Sequence, residues 1–194
     1  MKATFNVLGV LGSTRHGSYS AQTLNIALEY SKKYGAEVRL LEVGRLPIYD
    51  PNAPASTEVE QAASAVVWAN AIILTSTDYH GSISGALKNF LDHFYEEFAG
   101  KLFGYIVASH EKGLTVMDQM RTAVRQCYGW SMPYGVSING PQDFSGGKIV
   151  NTRLSNRLQM MSRDLVVYGK LVEGQFECDL ESNEQDTFAA HYRR

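Results

Sequence analysis

The segment 12–20, GSTRHGSYS, follows a short apolar run and combines hydroxyl side chains, glycines and one arginine. Ser13, Ser18 and Ser20 can each donate a hydroxyl hydrogen bond, and the guanidinium of Arg15 can hold two phosphate oxygens at once. The glycines let the backbone approach a ligand closely, and a helix that begins here would direct unpaired N–H groups at an anion. These residue types predict a phosphate-binding loop.

The same residue types also suit a turn followed by a helix cap, because Ser and Gly favour both positions. The segment lacks the GxxxxGK[ST] pattern of triphosphate-binding loops and the GxGxxG pattern of dinucleotide-binding loops. Taken alone, it leaves two interpretations open, a structural cap and a site for a single terminal phosphate.

A second glycine-bearing loop lies within AIILTSTDYHGSISGALKNFLDHF, directly after another apolar run. Residues 77–84 would follow the carboxyl end of a strand, where backbone N–H and C=O groups can line the edge of a flat heterocycle. Tyr79 would add aromatic surface. This loop predicts a ring-binding site close to the first loop.

Both loops need a scaffold that brings them together, and the pattern of the chain supplies one. Short apolar runs alternate with five segments of helical period; the runs cover residues 6–11, 37–43, 71–76, 102–108 and 134–138. Strands that are apolar almost throughout are typical of a parallel sheet covered on both faces. The alternation predicts an α/β fold with a doubly wound parallel sheet, which binds ligands at the carboxyl ends of its strands.

The composition excludes several classes of protein. With 194 residues, 18 basic and 20 acidic side chains and a net charge of −2, the chain has no broad attraction for nucleic acid or anionic membranes. The first apolar run is too short to span a membrane. Cys127 and Cys178 lack the spacing of a zinc site or disulfide framework, so we expect a cytoplasmic protein without a metal site.

The two loops together resemble those of the NADPH-dependent FMN reductase family, whose usual forms are GSxRxxS after the first strand and PEYNGSIPGALKN after the third. This sequence has Gly12, Ser13, Arg15 and Ser18 in the first form; in the second it has Tyr79, Gly81, Ser82, Ile83, Gly85, Ala86, Leu87, Lys88 and Asn89. The segment LPIYD, residues 46–50, is also similar to the family's stretch after the second strand. The chain differs from the family at Thr77, Asp78, His80 and Ser84, where the family has Pro, Glu, Asn and Pro.

The resemblance implies a flavodoxin-like domain over residues 1–172, with a five-stranded parallel sheet of order 2-1-3-4-5. It implies that the FMN phosphate binds Ser13, Arg15, Ser18, Tyr19 and Ser20. The isoalloxazine ring would meet Thr77, Asp78, Tyr79, His80 and Gly81, largely through the backbone. A third contact region would follow the fourth strand at Ser109, His110 and Gly113, although the family often has two glycines where this chain has Lys112 and Gly113.

The resemblance also implies an NAD(P)H-dependent oxidoreductase that passes electrons through FMN, by a ping-pong mechanism, to a small acceptor: free flavin, a quinone, an azo compound or a metal oxyanion. No side chain is expected to transfer a proton, because the flavin carries the chemistry. The first alternative is a flavodoxin-type electron carrier that binds FMN without its own NADPH reductase activity; Arg15 and the near-neutral charge argue against it. The second alternative is an α/β protein that binds no flavin.

Three assignments remain open in the sequence. His80 either tunes the flavin or is an ordinary surface residue. The helix within residues 86–98 either forms a contact in the homodimer or homotetramer that the family implies, or is buried within one subunit. Residues 173–194 form either a partly ordered tail or a subunit contact through Phe176, Phe188 and Tyr192.

Overall fold

A central parallel sheet organises the fold in the computed structural model, which describes residues 4–193. Its strands are β1 (Phe5–Leu11), β2 (Ala36–Glu42), β3 (Ala71–Thr77), β4 (Leu102–Ala108), β5 (Trp130–Ser131) and β6 (Val136–Ile138). The order is β2-β1-β3-β4-β5, and β6 also pairs with β4. This confirms the predicted doubly wound sheet of order 2-1-3-4-5.

The fifth position of the sheet differs from the prediction of one strand over residues 134–138. It holds β5 and β6, two short strands that pair with the beginning and the end of β4. The residue between them that breaks the ladder is Pro133, which has no N–H to donate. Met132 still donates its N–H to the carbonyl of Phe103 at 2.9 Å, so the ladder stops directly before the proline.

Helices cover both faces of the sheet. They are α1 (Tyr19–Lys33), α2 (Thr57–Trp68), α3 (Gly85–Asp92), α4 (Leu114–Gln126), α5 (Gly140–Asp143) and α6 (Thr152–Glu181). The five long helices were predicted. The single turn α5 and the hairpin of β7 (Phe144–Ser145) and β8 (Lys148–Ile149) were not, because their apolar runs are too short to show a period.

The core forms two layers, one on each face of the sheet. Along β1, Val7 belongs to the layer beneath α1 and α6, whereas Leu8 belongs to the layer beneath α2, α3 and α4. Successive side chains of a strand point to opposite faces, so a strand covered on both sides must be apolar at nearly every position. This explains why the apolar runs of the sequence lack alternation.

The end of the chain is helical for longer than its sequence indicates. Helix α6 runs unbroken to Glu181, so the boundary expected at residue 172 falls inside it. Beyond it, a 3-10 turn over Phe188–Tyr192 folds back, and the Phe188 ring stacks on Tyr128 and Phe176 with centroids 5.9 and 5.4 Å apart. Phe176 and Phe188 thus make aromatic contacts within their own chain.

The segment 86–98 was the candidate subunit contact, and most of its apolar surface lies inside the chain. Helix α3 ends at Asp92, and the rings of Phe90, Phe94 and Phe98 are buried in the second core layer. Tyr95 is half exposed. Within residues 4–193, no helix has both the length and the apolar character that crossing a membrane requires.

Candidate functional site

A cleft of ≈ 750 Å³ opens at the carboxyl ends of β1, β3, β4 and β6. Its volume is within the range of small-molecule and cofactor sites, and its place is where doubly wound sheets bind ligands. Ten of the thirteen residues predicted for the site line it; they are Ser13, Arg15, Ser18, Tyr19, Ser20, Thr77, Asp78, Tyr79, Ser109 and His110. His80, Gly81 and Gly113 do not.

Of the two roles that the sequence left open for the first loop, the structure forms the helix cap. Ser18 is the N-cap of α1, where its Oγ accepts a hydrogen bond of 3.2 Å from the Ala21 N–H. The predicted helix cap is therefore confirmed. The oxygen of Ser18 is the acceptor in that bond, so the cap does not involve the hydroxyl proton. Gly12 is the first residue of the loop and donates its N–H to the Thr75 carbonyl at 2.9 Å, which fixes the loop to β3.

Several polar atoms of this loop and of α1 are buried in the cleft without a hydrogen-bond partner. Ser20 is 1% exposed and Ser13 8% exposed, and within residues 4–193 neither hydroxyl has a partner. The same holds for Oε1 of Gln22, whose Nε2 donates to the Gly17 carbonyl at 2.9 Å. A buried polar group without a partner costs about 1–3 kcal/mol, so such groups indicate a ligand.

The chemistry of these groups fits a phosphate. Two serine hydroxyls and the first amides of α1 are donors, and the positive end of the helix dipole favours an anion. Arg15 is exposed beside them, and among the described residues its guanidinium has no ion-pair or hydrogen-bond partner. The residues present therefore fit a terminal phosphate group such as that of FMN.

The second loop is a tight turn from Tyr79 to Ser82. These two residues exchange backbone hydrogen bonds of 3.1 and 3.2 Å, and both central residues are left-handed, His80 with φ 58° and Gly81 with φ 73°. This is the geometry of a type I′ turn, which favours Asn-Gly; His also tolerates a left-handed backbone better than most residues. Tyr79 lines the cleft, whereas His80 lies exposed at the tip of the turn.

Asp78 and Ser109 face the cleft, but their side chains bind each other. The carboxylate of Asp78 accepts from the Gly81 N–H at 2.9 Å and from the Ser109 hydroxyl at 2.8 Å. Ser109 in turn donates its N–H to the Ile138 carbonyl at 2.9 Å. These bonds tie together the loops that follow β3, β4 and β6, so both residues shape the cleft as structural links.

Gly113 has a structural role behind the cleft. It is the N-cap of α4 with φ 58°, and a Cβ at this position would lie 2.6 Å from Cγ1 of Val107. Only glycine fits this backbone without strain. Gly113 was predicted as a cofactor contact but does not line the cleft, whereas Ser109 and His110 of the same loop do.

Sequence reasoning missed one whole wall of the cleft. It is formed after β6 by Ile138, Gly140, Pro141, Phe144, Gly146 and Gly147; His16, Gly17, Gln22 and Ala108 also line the cleft. The Tyr19 ring packs on Phe144 with centroids 5.3 Å apart and lies against Gly140, which leaves no room for a Cβ there. The Gly-Gly pair between two short apolar runs was the available signal, since it marks a hairpin turn.

Comparison with known proteins gives a consistent match. The sequence profile of a family described as NADPH-dependent FMN reductase matches residues 5–142. An NAD(P)H-dependent FMN reductase of Pseudomonas aeruginosa is 30% identical over 95 residues, which cover 47% of this chain and 51% of that protein, or about half its length. An FMN-dependent NADPH-azoreductase of Staphylococcus aureus is 26% identical over 67% of this chain and 74% of its own.

The fold has close structural counterparts. The flavoenzyme FerB of Paracoccus denitrificans, an NAD(P)H:(acceptor) oxidoreductase, superposes with a TM-score of 0.75 at 18% identity, over 87% of this chain and 98% of its own. At this identity the likeness concerns the fold alone. The matched segment 5–142 contains the first three loops of the cleft and ends inside the wall that follows β6.

Proposed function

Because this chain belongs to the NADPH-dependent FMN reductase family, we propose that it binds FMN in the cleft and acts as an NAD(P)H-dependent oxidoreductase. One observation carries the proposal beyond family membership. The buried hydroxyls of Ser13, in the loop after β1, and of Ser20, in the first turn of α1, have no partners in the described part of the chain and line a cleft of cofactor size. A ligand with acceptor oxygens at that point would satisfy both hydroxyls, and a phosphate has such oxygens.

The proposed arrangement follows the lining of the cleft. Ser13, Arg15, Ser18 and Ser20 hold the phosphate, with the amides at the start of α1. The loops after β3 and β4, whose residues 77–79 and 109–110 line the cleft, would hold the isoalloxazine ring. Tyr79, which is 53% exposed, offers aromatic surface beside the ring.

Bound FMN would supply the redox chemistry, with NAD(P)H as hydride donor and a small acceptor reduced in a separate half-reaction. The chain itself binds, orients and shields the reactants. No side chain is assigned to proton transfer.

The acceptor, the assembly and the location complete the proposal. We infer a small acceptor such as free flavin, a quinone, an azo compound or a metal oxyanion, and the azoreductase relative supports the azo class. We infer a homodimer or homotetramer, as the family resemblance implies. The free cysteines Cys127 and Cys178 support a reducing, cytoplasmic location.

Two measurements test the proposed function. Titration of the purified protein with FMN should quench the flavin fluorescence and shift its absorption, and an unchanged spectrum would refute every flavin role. Anaerobic stopped-flow mixing of the FMN complex with NADPH, and separately with NADH, should then bleach the flavin absorption. Binding of FMN without bleaching by either donor would instead assign the chain as a flavodoxin-type electron carrier.

A further inference from the structure

Helix α4 holds the turn that follows β3 through one side chain. Oε1 of Gln119 accepts from the Ser82 hydroxyl and from the Ile83 N–H, each at 3.0 Å. Its Nε2 donates to the Gly81 carbonyl at 3.3 Å. The side-chain amide of Gln119 thus makes three hydrogen bonds, to Gly81 and Ser82 of the turn and to Ile83 directly after it.

The turn needs such an external support. His80 occupies the left-handed region, which is less favourable for a residue with a Cβ than for a glycine. The turn's own backbone pairing is limited to the two bonds between Tyr79 and Ser82. The other supports are the Asp78 carboxylate, which binds the Gly81 N–H, and Gln119.

These two supports act on opposite sides of Gly81. Asp78 binds its N–H from the cleft side, and Gln119 binds its carbonyl from α4. Tyr79 lines the cleft and lies two residues before Gly81, so the position of its side chain depends on how firmly the turn is held. Gln119 itself does not line the cleft.

We propose that Gln119 is a positioning residue, which acts through the turn of residues 79–82 to fix the ring-binding side of the cleft. This inference rests on the proposed function, because it assigns the flavin ring to that side. Gln119 touches neither the cofactor nor the substrate. Its effect therefore concerns the isoalloxazine ring and leaves the phosphate contacts at α1 unchanged.

The experiment compares Gln119→Leu with Gln126→Leu. Gln126 lies on the same helix, is exposed and has no side-chain hydrogen bond among the described residues, so it controls for the loss of an amide on α4. The ligand probes are FMN and riboflavin, which shares the ring but lacks the phosphate. Hydrogen exchange of the turn amides, measured without flavin, reports the positioning directly.

We expect Gln119→Leu to weaken riboflavin and FMN by the same factor, about tenfold, the equivalent of one to two net hydrogen bonds. It should also shift the midpoint potential of bound FMN and speed amide exchange at Gly81 to Ile83. Gln126→Leu should match the wild type in each measurement. Gln119→Glu keeps both acceptor bonds but cannot donate to the Gly81 carbonyl, so it should give a smaller loss for both flavins and faster exchange at Gly81, and it serves as the test if the Leu variant fails to fold.

Failure of this inference is distinguishable from failure of the proposed function. A wild-type protein that binds neither flavin refutes the proposed function and the role of Gln119 with it. A wild type that binds flavin, with a Gln119→Leu variant that matches it in affinity, potential and exchange, overturns the role of Gln119 alone. A loss that affects FMN and spares riboflavin also overturns it, because that pattern belongs to the phosphate loop.

Discussion

The hydroxyl of Ser84 donates a hydrogen bond of 2.6 Å to the backbone carbonyl of Gly12. This bond joins the loop after β3 to the loop after β1, the two segments on which the family resemblance depends. The same oxygen accepts from the Leu87 N–H at 3.2 Å as the N-cap of α3, and the Ser84 N–H donates to Ser76 Oγ at 3.0 Å. The family usually has Pro at this position, which has neither the N–H nor the hydroxyl that Ser84 uses here.

Replacement of Ser84 by Ala should lower the free energy of unfolding by about 1–2 kcal/mol, because it removes a helix cap and leaves the Gly12 carbonyl without this donor. It should also weaken FMN, since the phosphate loop loses an anchor. Ser56→Ala is the matched control: Ser56 caps α2, whose start does not line the cleft. Equal FMN affinity in the two variants would contradict the anchoring role of Ser84.

Replacement of Ser20 by Ala should weaken FMN binding without lowering the stability of the ligand-free protein. Within the described part of the chain the hydroxyl is buried without a partner, so its removal should leave the ligand-free protein as stable as the wild type or slightly more stable. FMN should bind more weakly by about 1.5–3 kcal/mol, the scale of a hydrogen bond to a charged group. Urea unfolding without flavin and a fluorescence titration measure the two effects.

Ser31→Ala, on the same helix, should instead reduce stability without changing FMN affinity. The Ser31 hydroxyl is buried but donates to the Ala27 carbonyl at 3.0 Å, far along α1 from the cleft. Its loss should reduce stability by about 1 kcal/mol and leave FMN affinity unchanged. If Ser20→Ala instead behaves like Ser31→Ala, the Ser20 hydroxyl does not contact the phosphate.

Replacement of Arg15 by Ala should discriminate between FMN and riboflavin. We expect FMN affinity to fall by about 1.5–3 kcal/mol, because a charged hydrogen bond to the phosphate is lost, and riboflavin affinity to stay constant. Arg125→Ala, on α4 and outside the cleft, is the control for net charge. A parallel loss for riboflavin would place Arg15 against the ring or in the fold.

The free energy of unfolding should depend on pH through the carboxyl group of Glu173 on α6. Burial, together with the charge of Glu177, raises the pKa of Glu173 above its ordinary value of 4.5, and the nearby Lys101 opposes the rise. Glu173 also accepts a hydrogen bond from the Asn70 side chain. A carboxyl whose pKa is higher in the folded state binds its proton more tightly there than in the unfolded chain.

The stability that Glu173 contributes is therefore complete below about pH 4.5 and is lost as the pH rises through its raised pKa. Compared with Glu173→Gln, the wild type should become progressively less stable as the pH rises above 4.5 through the raised pKa of Glu173. Urea unfolding of both proteins over that range measures the difference. A difference that is constant with pH would show that Glu173 titrates alike in both states.

Much of the fold could be predicted because its signals are local. The apolar runs gave β1 to β4 within one residue at each end, and β4 without error. Where the signal failed, tertiary contacts decided. Pro133 has no N–H for the ladder with β4, so the fifth strand is split into β5 and β6, which both pair with β4. Helix α6 extends to Glu181 although its apolar period weakens after Gly169.

The sequence by itself determined the first four strands, the two glycine-bearing loops and the residue types that suit a phosphate, because backbone preference and apolar period act over a few residues. Only the tertiary structure decided which of those residues face the cleft. Asp78 and Ser109 bind each other, His80 points outwards, and the hairpin after α5 closes a wall against Tyr19. The most distant of these contacts joins Tyr19 to Phe144, 125 positions along the chain, and no local pattern encodes a partner at such a distance.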